Sequence, residues 1–73
     1  MHLPGLRRAR EAALLTQAEL AKRAGVQRVT VNRLETGLTA ARFRTVRRLA
    51  EALGLDPREL MDPATVTGDG EDR

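Results

Sequence analysis

The chain has 73 residues, no cysteine, one histidine (His2) and a formal charge of +3. That length bounds it to one small domain with a modest core. The missing thiols exclude disulfides, cysteine-based zinc sites and thiol catalysis, and a lone histidine beside the chain start excludes most histidine-dependent active sites.

The first five residues, MHLPG, read as an N-terminal arm. Leu6, Ala9, Ala13 and Leu14 then follow helical spacing and predict a first helix over about 6–14. In TQAELAKRAG, Thr16 is followed three residues later by Glu19, the pattern of a capping box, in which each side chain satisfies a backbone N–H of the helix start. Leu20, Ala21 and Ala24 form an inner face. Gly25 stops the helix, because glycine enters the left-handed conformation without a Cβ clash. The second helix therefore covers 17–24.

The next stretch, GVQRVTVNRLETG, is ambiguous by propensity, because Val29-Thr30-Val31 is β-branched. Strict alternation fails at Asn32-Arg33. At about 100° per residue, Thr30, Val31 and Leu34 fall on one side of a helix, with Arg28, Val29, Asn32 and Arg33 on the other. The β-branched penalty is only a few tenths of a kcal/mol per residue, about what packing overrides. A third helix over 28–36 is expected, closed by Gly37, its outer face carrying two arginines, an amide and a valine. Phe43, Val46, Leu49, Ala50 and Leu53 predict a fourth helix over 43–53, ended by Gly54. Asp56-Pro57-Arg58-Glu59 is a second capping box with proline at the first helical position, opening a fifth helix over 57–61.

Asp62-Pro63 ends that helix, and residues 62–73 read as an acidic, loose tail. Charge divides at the same point. Residues 1–61 hold twelve Lys/Arg against six Asp/Glu; the tail holds Arg73 against Asp62, Asp69, Glu71 and Asp72. A basic body is a footprint of nucleic-acid binding. The start MHLPGLRRARE lacks the pattern of a signal peptide, and no apolar run approaches a membrane span. A cytoplasmic location without membrane association is expected.

Two short helices joined across Gly25, the second with a polar outer face, match the helix-turn-helix design. The segments TQAELAKRAGV (16–26), VTVNRLETG (29–37) and TVRRLAEALGL (45–55) resemble the Cro/phage-repressor type of helix-turn-helix, the xenobiotic-response-element-like family, over about Leu6 to Met61. The resemblance implies an all-α, compact five-helix, lambda-repressor-like domain over 6–61, encoded by a bacterium or phage and nucleoid-associated when bound to DNA. It implies a third helix lying in the major groove of double-stranded DNA. Arg28 and Arg33 are then candidates for guanine edges, Asn32 for an adenine edge and Val29 for a thymine methyl, with a phosphate as the other destination of Arg33. Gln17 is a candidate for a phosphate at the start of the second helix, and also for bracing the third.

The family also carries a charged pair between the first helix and the end of the third, and Arg10 and Glu35 stand at those positions. Departures from the family pattern fall at Gln27, where a Ser or Thr cap is usual; at Ala41 and Arg42, where Pro and a capping hydroxyl are common; and at Leu38, where a cation often stands. Thr39, Arg42 and Arg44 are candidate phosphate contacts in its place, beside a helix start. Arg47 and Arg48 read as surface residues. Homodimers are usual in the family, through the region after the fourth helix. Leu38, Leu55, Leu60, Met61 and Val66 are the dimer candidates, with core closure the favoured role for Leu55 and Leu60 and a short intersubunit strand in ATVT a further idea.

The function expected is sequence-specific DNA binding by a transcriptional regulator, of repressor type, acting as a dimer on a pseudo-palindromic operator. The alternatives are an autoregulating antitoxin with a toxin partner protein, and a protein-interaction module that keeps the fold without reading sequence. No enzyme is expected, since the chain offers no nucleophile–base set, no metal cluster and no phosphate-cradling glycine loop. Neither a cofactor nor a metal nor a small-molecule ligand is expected.

Overall fold

A computed structural model describes residues 1–61. The expected tail, with Val66 and the ATVT stretch, lies outside the described residues. Five helices follow in order: α1 (Leu6–Ala12), α2 (Gln17–Ala24), α3 (Arg28–Glu35), α4 (Phe43–Leu53) and α5 (Pro57–Met61). The domain is all-α over the described residues.

Local sequence sets most helix ends. The capping box at the start of α2 is complete: Thr16 Oγ1 accepts the Glu19 N–H at 3.0 Å, and Glu19 Oε1 accepts the Thr16 N–H at 2.8 Å. At the other end Gly25 takes φ 73°, and the Val26 N–H reaches back to the Ala21 carbonyl. Turned in this way, the chain sends Val26 onto the core. Leu55 repeats that closure after α4, its N–H bonded to the Ala50 carbonyl at 2.9 Å. At the start of α5, Asp56 Oδ1 accepts the Arg58 N–H and Glu59 Oε2 accepts the Asp56 N–H, each at 2.9 Å.

The β-branched run is helical because Val31 and Leu34 are buried while Val29 faces outward. α3 ends at Glu35, with Thr36 as its cap and Gly37 at φ 77°. One expectation is corrected. The first helix ends at Ala12, and Leu14 stands 88% exposed at φ 61°. The chain must turn there so that the next residue, Leu15, can enter the core. Phe43 is 57% exposed, since the first turn of α4 overhangs the core that Val46, Leu49 and Ala50 enter.

Leu3, Leu6, Leu20, Val31, Val46, Leu49 and Leu60 are the large, fully buried side chains. Each such burial stabilises the fold by about 1.5–3 kcal/mol. α2 packs on both α3 and α4, α4 on α5, and α1 closes against α3 and α5. The first five residues run along this body. Leu3 is buried, the Gly5 N–H donates to the Leu60 carbonyl at 2.9 Å, and the Ala41 N–H donates to the Met1 carbonyl at 2.7 Å. The chain start thus ties α5 to the loop between α3 and α4.

Candidate functional site

The outer face of α3 is presented to solvent. Arg28 and Arg33 are exposed, Val29 is 40% exposed and Asn32 is half-buried. Neither arginine forms an ion pair among the described residues, and the Asn32 side-chain amide has no protein partner there. Such a surface keeps its donors free: forks for paired acceptors, an amide that both donates and accepts, and one apolar contact. Gln27, at the start of α3, makes no side-chain cap. The first N–H groups of the helix therefore keep their positive partial charge.

One buried carboxylate fixes the far end of α3. The Glu35 side chain is only 3% exposed and accepts from Arg10 Nε, from Arg10 Nη2 at 3.1 Å and from Gln17 Nε2 at 3.0 Å. Arg10 Nη1 donates to the Leu15 carbonyl at 2.8 Å. These bonds tie α1, the turn before α2, the first residue of α2 and the end of α3 to a single point. The hydrogen bond to Glu35 holds the Arg10 guanidinium above its ordinary pKa, against the pull of desolvation. Gln17 thus has one side-chain N–H engaged inside the fold.

The loop after α3 brings a second group together. Thr30, Arg33, Thr39, Arg42 and Thr45 line an open groove between α3 and the start of α4. Thr30 and Thr45 are members that sequence reasoning missed. Their only signal was a hydroxyl on the helix side nearest that loop, readable once α3 and α4 are juxtaposed. Arg42 precedes α4 without capping it, so the free N–H groups of the first turn open beside the groove. Arg44 is not part of this group. It lies in a neighbouring groove with Phe43, Arg47, Arg48 and Glu51.

The apolar residues considered for self-association divide. Leu60 is fully buried and belongs to the core, and Leu55 and Met61 are half-buried against it. Leu38 is 76% exposed, directly after α3. Among the described residues, no helix is long and apolar enough to cross a membrane, and no three His, Cys, Asp or Glu side chains cluster to hold a metal ion.

Comparison with known proteins agrees with this fold. The profile of a helix-turn-helix family matches residues 6–60. A search of curated proteins finds no match. Among solved structures, the chain is similar to the P22 c2 repressor protein crystallised in complex with a synthetic operator. The two are 26% identical, the likeness covers 84% of this chain and 92% of that one, and the TM-score is 0.76.

Proposed function

This chain belongs to the helix-turn-helix family, in its Cro/phage-repressor-like branch, and from that premise we propose how it reads DNA. It is a DNA-binding transcription regulator. α3 enters the major groove, with Arg28 and Asn32 on base edges, Val29 on a thymine methyl and Arg33 at the edge of the groove. Thr39 and Arg42, with Thr30 and Thr45, hold the phosphates that flank it, and Arg44 reaches a phosphate farther along α4. Gln17 braces α3 through Glu35 and offers its second amide N–H to a phosphate at the start of α2. The protein works as a homodimer repressing from a pseudo-palindromic operator, because one module of this size buries little DNA surface and two, about one helical turn apart, multiply affinity.

One observation carries the reading: four side chains able to read bases share the exposed face of a short helix, while a buried carboxylate anchors that helix's other end. The test is selection of a preferred duplex from random DNA, followed by fluorescence-anisotropy titration against a shuffled duplex at about 150 mM salt. A preference of about a thousandfold is expected. Arg28→Ala weakens the preferred duplex by about 1–3 kcal/mol and leaves the shuffled one nearly unchanged. Arg42→Ala weakens both and lowers the salt slope by about one unit. Equal, weak binding to every duplex rejects base reading in favour of an interaction module. Like behaviour of the two variants rejects the division between base and phosphate contacts.

A further inference from the structure

The outer face of α4 is charged against the helix's own interest. Arg44 stands in the first turn, where the positive end of the helix dipole disfavours a cation, and neither an acidic first turn nor a basic last turn offsets it. Arg47 and Arg48 follow on the same side, at spacings where like charges each cost a helix a few tenths of a kcal/mol, about 0.2–0.5. Glu51 is the only carboxylate lining their groove, and it pairs with none of them. A second open groove adjoins it, shares Arg48 and Glu51, and adds Lys22 and Arg23 from the end of α2. Phe43 stands at the edge with the Arg47 guanidinium 5.8 Å from its ring centroid.

We propose that this α2–α4 face binds the phosphodiester backbone of duplex DNA, separately from the surface that reads sequence. The inference rests on the chain's being a duplex binder and adds a second site to it. Apart from Arg44, which borders the primary contact, four unpaired cations (Lys22, Arg23, Arg47 and Arg48) spread over two adjoining grooves suit an extended polyanion, and duplex DNA offers a charge about every 1.7 Å of its axis. An acidic protein partner fits less well, since such docking is anchored by apolar side chains in pockets and Phe43 already has a guanidinium against its ring. The groove of Arg33, Thr39 and Arg42 shares no lining residue with either of these two, so the phosphates they meet are different. Those phosphates come from the flank of the bound duplex, bent back onto α4, or from a second duplex.

The test substitutes Lys22→Ala, Arg23→Ala, Arg47→Ala and Arg48→Ala together. These are exposed helix positions where alanine favours the helix, and circular dichroism verifies the fold. Binding is measured to a short duplex of about two helical turns, to the same duplex carrying random flanks, and in a capture assay where protein on a bead-tethered duplex takes up a labelled second one. For the wild type, a gain from flanks assigns the bent flank and capture assigns a second duplex. In the variant that gain or capture falls at least about tenfold and its salt slope drops by about three to four units, whereas short-duplex affinity stays within about threefold. Equal behaviour of variant and wild type in both arms overturns the proposal. So does an equal loss on the short duplex, which would merge the face with the primary site, and so does poly-glutamate displacing DNA at equal charge. Failure of sequence reading shows separately, as the absence of a preferred duplex with capture of random DNA retained.

Discussion

Leu14 occupies the left-handed region with 88% of its surface in water. A Cβ there costs about 1–2 kcal/mol, and so exposed a side chain returns little by burial. The turn persists because Leu15 must reach the core and Arg10 must reach the Leu15 carbonyl. Leu14→Asn keeps a side chain that tolerates this φ, so it is expected to raise stability by about 0.5–1 kcal/mol, seen as a melting midpoint several degrees higher. An unchanged midpoint would mean that the turn relaxes at no cost. Gly5 shows the opposite constraint. A Cβ added there would lie 2.8 Å from the Glu59 carbonyl oxygen, a backbone atom that cannot swing aside. Gly5→Ala should push α5 away from the chain start and destabilise by about 1–3 kcal/mol, measured by urea denaturation.

At the scale of elements, the helices legible in sequence were those with local punctuation. α2, α4 and α5 have the bounds that a capping box, a closing glycine or an N1 proline predict, because such signals act within a few residues. α1 was misjudged because Leu14 continues its apolar spacing, and only the tertiary need to bury Leu15 breaks the helix sooner. Phe43 keeps the helical spacing yet stands exposed, because periodicity gives the side of a helix but not how far the core extends beneath it. The groove joining Thr30 and Thr45 to Arg42 was not legible for a related reason: it depends on how α3 and α4 sit together.

Element ends also set two responses. Replacing the non-capping Gln27 by Thr should stabilise α3 by about 0.5–1 kcal/mol, visible in hydrogen exchange of its first turn. At the start of α2, the Thr16 backbone and side chain hold the Glu19 carboxyl below its ordinary pKa, and at α5 the Arg58 N–H does the same for Asp56. Both pKa values are depressed by folding, so their stabilisation is present at neutral pH and fades as pH falls below about 4 through the folded values. Melting midpoints of Glu19→Ala and Asp56→Ala should therefore approach the wild-type midpoint on acidification.

Across the whole molecule, Glu35 ties separate helices to the end of α3, the helix proposed to read DNA. Its carboxylate receives Arg10 and Gln17 at a point where α1, α2 and α3 meet, and it is removed from water. Withdrawing the cation alone leaves a buried charge served by one amide, so Arg10→Met should destabilise by about 3–5 kcal/mol, far more than the loss of an exposed pair such as Arg7–Glu11. Replacing both partners by apolar residues, Arg10→Met with Glu35→Leu, removes that uncompensated charge and should return stability to within about 1 kcal/mol of the wild type. Binding should not recover with it. Without Glu35, Gln17 has nothing to hold, and the angle of α3 relative to α2 is set by apolar packing alone, which is less directional than three converging hydrogen bonds. The double variant should thus melt like the wild type yet lose affinity for the preferred duplex while keeping its affinity for shuffled DNA. If affinity for both duplexes is unchanged, the buried pair contributes stability alone, and the orientation of α3 is fixed by Val31 and Leu34 in the core.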